Sequence, residues 1–287
     1  PVWLRLYAEK PEDVLAEMRR LADAGYRELV FTGIEIASYG IDFRDGRQGF
    51  RLIDLLERAD GQGEGIRIRL GSLEPAYLKP EVIARLAALA HLAPHFHLSL
   101  QSASDEVLRR MRRKYRTNQV RDILVRIREA VPGAQFTADL MTGFPGETEE
   151  MFSETLSFVR EARFLHVHVF PYSRRKDTEA DAMDGQLSAG EKNDRARRLI
   201  AAAASAEAEV YREEARLLPV REILTEERTP EGEVIGHTGS FLEVRVSDPE
   251  GRLPLHSFCQ VRITGAGPAF LSAVPDGTPQ SENCLSL

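Results

Sequence analysis

The chain has 287 residues, 43% hydrophobic and 29% charged, enough for one large globular domain or a large one with a small appendage. Its 38 basic and 45 acidic residues give a net charge of −7, which argues against nonspecific coating of nucleic acid but permits a local basic patch. No apolar stretch approaches the ~18 residues of a membrane span and no signal peptide opens the sequence, as expected of a cytoplasmic protein.

Pro11-Glu12-Asp13 opens a first helix, with proline in the first turn and acids at the positive end of the dipole. Val14, Met18, Leu21 and Ala22 recur at helical spacing, Gly25 ends the helix, and residues 28–32 read as a strand. Leu52, Leu55 and Leu56 mark a second helix before a strand at 66–70. A helix from Pro80 leads to a strand at 95–100. Residues 105–111 and 118–130 read as helices, 136–140 as a strand, 148–162 as a helix and 166–170 as a strand; a long helix rich in alanine and glutamate follows over 188–217. Alternation of this kind implies a parallel sheet covered by helices. Five strands are visible, fewer than even a six-stranded partial barrel needs. After Pro219 the period changes from 3.6 to 2. Short strands at 220–224, 234–237, 242–246, 258–263 and 270–274 then predict a small OB-like β-barrel, with 276–287 as a disordered tail.

Polar clusters stand at the strand ends: Thr32-Gly33-Ile34-Glu35, Ser72-Leu73-Glu74-Pro75, Gln101-Ser102, Thr142-Gly143-Phe144-Pro145-Gly146-Glu147 and Phe170-Pro171-Tyr172-Ser173. In a parallel βα barrel such loops converge on one axis and form the active face. Cys259 and Cys284, 25 positions apart, read as structural or incidental thiols rather than metal ligands. His95, His97, His166 and His168 alternate along two strands; the spacing allows a metal pair but is read as packed or edge histidines, and no metal ligands are assigned.

These strings, together with His97-Leu98-Ser99-Leu100-Gln101-Ser102, Arg112-Arg113-Lys114-Tyr115 and His168-Val169-Phe170-Pro171-Tyr172-Ser173, resemble the methylthiotransferases. Those are radical S-adenosylmethionine (SAM) enzymes that thiomethylate tRNA or a ribosomal protein. The resemblance covers residues 7 to 275 and implies a partial (βα) radical-SAM-type barrel over 1–217 and a TRAM-like β-barrel over 218–275. Thr32-Gly33-Ile34 and Ser72-Leu73-Glu74-Pro75 look like the branch acting on N6-threonylcarbamoyladenosine 37 of tRNA. The activity implied is reductive cleavage of SAM, hydrogen abstraction from C2 of the adenine, sulfur insertion and methyl transfer. The reductant and the sulfur donor are not specified by these residues.

The departure from the family is its cluster motif. These enzymes hold a 4Fe–4S cluster with Cys-x3-Cys-x2-Cys, because thiolates are the ligands such clusters need, and this sequence has no such spacing. Aligned on Pro11-Glu12-Asp13, the third cysteine falls before Pro1. The cluster segment and the first barrel strand are therefore expected upstream of this chain, with the strand ending at Thr32 left as an open edge. On that reading the chain is inactive alone. The alternative is a non-catalytic RNA- or SAM-binding paralogue. An unrelated phosphate-binding aldolase-type barrel is disfavoured by the missing strands and the lack of a placed catalytic lysine.

The cofactor site implied comprises Thr32, Gly33, Glu35, Ser72, Glu74, Gln101, Ser102, Asp139, Gly143, Phe170 and Tyr172. Glu35 and Glu74 could pair an ammonium group, or be surface or N-capping acids. Gln101 and Ser102 suit ribose hydroxyls and a carboxylate, while Ser102 or Ser104 equally suits a helix N-cap. Asp139 interrupts an apolar strand and must be paired or face the barrel mouth, of which the mouth is favoured. Gly143 and Gly146 allow close approach of a flat ring, or serve a tight turn. Phe170 and Tyr172 would flank adenine, or be core. Arg109, Arg110, Arg112, Arg113, Lys114 and Arg116 concentrate cations, with Arg174, Arg175 and Lys176 on the same expected rim; they are candidates for tRNA-phosphate or SAM-carboxylate contact, or a solvated surface. The TRAM-like segment has five arginines, outnumbered by its acids, and is a poor phosphate binder overall.

Overall fold

The computed structural model describes residues 2–5 (as backbone), 9–44, 48–217 and 219–276; most of the expected tail and Cys284 lie outside these. Two compact units result, Pro1–Val210 and Tyr211–Leu287.

In the first unit, β1 (Val2–Arg5), β2 (Glu28–Thr32) and β3 (Arg67–Leu70) form one parallel sheet, and β4 (His95–Gln101), β5 (Gln135–Thr142) and β6 (His166–Pro171) form a second. Isolated parallel bridges Ile68–Leu92 and Leu73–Leu98 join them, so the strands run in sequence order round an arc. The helices are α1 (Pro11–Asp23), α2 (Leu52–Asp60), α3 (Pro80–Ala87), α4 (Asp105–Arg110), α5 (Thr117–Ala130), α6 (Glu149–Ala162) and α7 (Ala189–Leu217), the last reaching into the second unit. The expected open edge at β2 is not there: Val2–Arg5 pairs with Leu29–Thr32 in parallel register, giving six strands instead of five. Val-Trp-Leu-Arg has strong strand formers, and an unpaired ladder is a template for any such segment.

Strand alternation divides the arc into two chemically different faces. Phe96, Leu98, Leu100, Phe136, Ala138, Leu140 and Val167 belong to the main core, together with helix residues such as Val14, Met18, Leu55, Leu124, Phe152 and Phe158. Glu28, Arg67, Arg69, His95, His97, Thr137, Asp139, His166 and His168 share the other face, which makes the inner side of the arc strongly polar. Polar inward residues are tolerated only when paired. Glu28 accordingly accepts from Arg69 Nε at 2.8 Å and Arg69 Nη2 at 2.9 Å, and also pairs with Arg67. Burial pushes the Glu28 carboxyl up, but the hydrogen bonds and charges of Arg69 and Arg67 outweigh it and bring it down to about 2.

In the second unit, β7 (Val220–Arg228), β8 (Glu233–Thr238), β9 (Glu243–Ser247), β10 (Phe258–Ala266) and β11 (Leu271–Pro275) close into a barrel, all pairs antiparallel except β9–β11. Its core is Ile223, Val234, Val244, Val246, Val261 and Leu271. Asp248 is buried beside Arg228 at 2.9 Å and accepts from the Arg252 and Leu253 amides, which ties down the loop after β9. No helix among the described residues is long and apolar enough to cross a membrane.

Candidate functional site

The carboxyl ends of β4, β5 and β6 surround a cavity of about 260 Å³. Gln101, Met141, Phe144 and Tyr172 come from the strand ends; Arg110 and Arg113 come from α4 and the turn after it. Gln101 has a left-handed φ of 63° and Arg112 one of 57°, uncommon values for residues with side chains, and both lie on this cavity. The Phe144 and Tyr172 rings meet edge to face at 5.4 Å. The Tyr172 hydroxyl is buried with no hydrogen-bond partner among the described residues, so a polar ligand atom would find a donor there.

One wall of the cavity is the loop after β5, held by residues far away in sequence. Glu147, almost wholly buried, accepts from the Gly143 amide at 2.7 Å and from Arg195 of α7 at 2.7 Å. Burial raises its carboxyl above the usual range despite these partners. Lys192 of α7 donates to the Tyr172 carbonyl at 3.0 Å. Gly143 and Gly146 both have positive φ, and a Cβ on either would strike Lys192 or Arg110 respectively. The space where a Cβ would stand is taken by these side chains, so glycine at both positions suits the turn and its packing.

Of the expected cofactor residues, the structure brings Gln101 and Tyr172 to this cavity, and Glu74 reaches its edge through Arg113 at 3.2 Å. Thr32, Gly33, Glu35 and Ser72 stand at the ends of β2 and β3 and do not line it; Glu35 is exposed. Ser102 is buried and accepts from the Ser104 amide at 3.2 Å, stabilising the turn into α4, whose N-cap is Ser104. Asp139, expected at the mouth, is not in the cavity lining: it sits within β5, partly buried, with Oδ2 3.2 Å from His97 Nε2. Phe170 is 51% exposed and lies apart from the cavity lining.

The expected cations are largely compensated. Arg109 and Arg110 pair with Glu106, Arg112 with Glu179, Arg113 with Glu74, and Arg174 with Asp181. Lys114 and Arg175 form no ion pair among the described residues. A groove of about 740 Å³ beside α5 and α6 carries Asp105, Glu149, Glu150 and Glu154, a lining that disfavours phosphate.

Sequence reasoning missed a second constellation on the inner face. His97, Asp139 and His168, from three neighbouring strands, place one ligand atom each within 4.8 Å of the others. Burial, then the neighbouring His166 and His97, lower the His168 pKa; His166 is raised by its hydrogen bond to Glu207.

A strand arc with its cavity at the carboxyl ends is the architecture of a partial (βα) barrel enzyme. The pattern of the Radical SAM superfamily matches residues 2–159, and the chain belongs to that family. The threonylcarbamoyladenosine tRNA methylthiotransferase MtaB of Bacillus subtilis is 38% identical over 275 residues, 92% of this chain and 58% of the relative. The tRNA-2-methylthio-N(6)-dimethylallyladenosine synthase of Acidothermus cellulolyticus is 38% identical over 260 residues, 90% of this chain and 46% of the relative. The chain thus spans about half the length of the curated relatives it matches. In structure it is similar to coproporphyrinogen III oxidase (HemN) from Escherichia coli, with TM-score 0.51 and 17% identity over 90% of this chain and 60% of that one, a likeness of fold.

The residues present do not fit an iron–sulfur cluster. Of the two cysteines, Cys259 is buried in β10 with its thiol pushed up by burial, and no three thiolates can converge.

Proposed function

We propose that this chain is the SAM- and tRNA-handling part of a cytoplasmic tRNA methylthiotransferase that modifies C2 of N6-threonylcarbamoyladenosine 37. The observation that carries this reading is the 38% identity to the Bacillus subtilis enzyme over 92% of the chain, a span too long to fall within one of its two units. SAM, when bound, supplies the radical chemistry; the chain's own residues bind and orient. Phe144 and Tyr172 offer an aromatic wall for an adenine, the Tyr172 hydroxyl and Gln101 offer hydrogen bonds to a ribose, and Arg110 and Arg113 offer charge to a carboxylate. The cations of the Arg109–Lys114 run, with Arg174 and Arg175, are assigned to the tRNA.

With two cysteines, the chain by itself is expected to form no cluster and to leave SAM uncleaved. Anaerobic reconstitution with iron and sulfide should give no visible cluster absorption and no 5′-deoxyadenosine. The same chain preceded by a Cys-x3-Cys-x2-Cys segment should give both, and should methylthiolate tRNA carrying threonylcarbamoyladenosine. Product only on isopentenyladenosine tRNA would reassign the substrate. Cluster formation without SAM cleavage would favour a non-catalytic binding paralogue.

The tRNA contact has its own expected result. Arg112 and Arg113 pair with Glu179 and Glu74 at exposed or half-exposed positions, where ion pairs are weak and exchange readily for phosphate. Replacing Arg112, Arg113 and Lys114 with alanine in the longer protein should weaken tRNA binding and flatten its salt dependence by about 0.7 per lost phosphate contact. An unchanged slope would leave these cations as solvated surface and move the contact to the barrel.

A further inference from the structure

We propose that His97, Asp139 and His168 form a binding site for one divalent transition-metal ion on the inner face of the β4–β6 sheet. This does not depend on the tRNA reading, and it concerns residues other than the cysteine thiolates of a Cys-x3-Cys-x2-Cys cluster motif.

Register explains the convergence. Asp139 and His168 are direct partners in the parallel β5–β6 pair, while His97 is opposite Thr137, two residues before Asp139 and on the same face. Three rigid strands therefore deliver two imidazoles and a carboxylate to one level of the arc. Their ligand atoms lie within 4.8 Å of one another, and His97 Nε2 and Asp139 Oδ2 are 3.2 Å apart. Metal bonds of about 2.0–2.2 Å put neighbouring ligands roughly 3.0–3.5 Å apart, so this pair already has ligation spacing. His168 is exposed, and a side-chain rotation would bring it in without moving the strand.

The surroundings orient the ligands as metal sites require. His97 Nδ1 is 2.7 Å from the Thr137 hydroxyl, and His95 Nε2 is 3.0 Å from the same oxygen. Both bonds are satisfied if His97 Nδ1–H donates to Thr137 and the Thr137 hydroxyl donates to His95. That tautomer leaves the His97 Nε2 lone pair free to ligate, 3.2 Å from Asp139 Oδ2. His166 is turned away to Glu207, at 3.3 Å, and is not counted as a ligand. Two imidazoles and one carboxylate suit zinc or iron(II) rather than calcium or magnesium, and leave positions for water or another small ligand.

The test uses tag-free, chelator-treated chain titrated by calorimetry with zinc, and anaerobically with iron(II), with cobalt(II) as the absorption probe. One ion per chain is expected, with cobalt bands lacking the intense sulfur-to-metal transition of thiolate ligation. His168→Ala and Asp139→Asn should each weaken binding at least about tenfold, and Thr137→Val should weaken it while leaving the three ligands in place. His168 is exposed, so its variant should fold, as far-ultraviolet circular dichroism would check. His91→Ala and Cys259→Ser should bind as the parent does. Absence of saturable binding, or full-strength binding by folded His168→Ala and Asp139→Asn, would overturn the site.

Discussion

Replacing Glu28 with leucine should destabilise the strand-arc unit by about 3–5 kcal/mol, because two buried guanidinium groups then lose the carboxylate they share. The parent's pH dependence gives a second readout. The Glu28 carboxyl stands at about 2 in the fold against an ordinary 4.5, so the folded state binds its proton less readily than the unfolded chain. Stability from this group is therefore fully present above about pH 4.5 and is lost as pH falls toward 2, a change of roughly 3 kcal/mol. Urea unfolding across that range should show the slope in the parent and a flatter one in Glu28→Leu. Equal slopes would mean that the cluster does not hold its charge in the fold.

Arg195→Met should behave oppositely with pH. Glu147 would remain buried against the Gly143 amide without its counter-charge, a loss of about 3–5 kcal/mol at neutral pH. The folded-state pKa of Glu147 is already raised by burial, and removing the guanidinium raises it further. A raised carboxyl favours the fold below its unfolded pKa, and that advantage disappears as pH rises through the folded value. The variant should be most impaired at neutral pH and recover toward the parent in mild acid. Because the Gly143–Glu147 loop walls the cavity, ligand affinity should follow the same trend. A deficit independent of pH would show that Glu147 is not ionised beside Arg195.

The strand–helix alternation and the switch to period two after Pro219 were legible because each rests on local pattern: Leu29 and Phe31 against Glu28 and Val30, or Val244 and Val246 against Arg245. The strand at Val2–Arg5 was not, since four residues carry no period and only the vacant side of β2 gives them a place. Site residues divided similarly. Gln101 and Tyr172 were placed on the cavity correctly because strand ends point to it. Lys192 and Arg195 were missed because their contacts depend on α7 folding back on Tyr172, 20 residues earlier, and on Glu147, 48 residues earlier. The pairing of Glu106 with Arg109 and Arg110 was readable from helical spacing, and should have tempered the expected basic patch. His97, Asp139 and His168 belong to three strands, and nothing local in the sequence aligns their registers.

The two three-stranded sheets meet at a seam rather than a continuous ladder. Among the described residues its backbone hydrogen bonds centre on two positions: Ile68, joined to His91 and Ala93, and Leu73, joined to His97 and Ser99. Each half is stiffened by its own ladder, so displacement within the arc concentrates where bonds are fewest. The arginine–glutamate cluster rides on one half and the histidine–aspartate triad on the other. A few degrees of opening at Ile68 and Leu73 would widen the trough between them with both halves intact, making this seam the natural place for the barrel to adjust its bore to what it encloses.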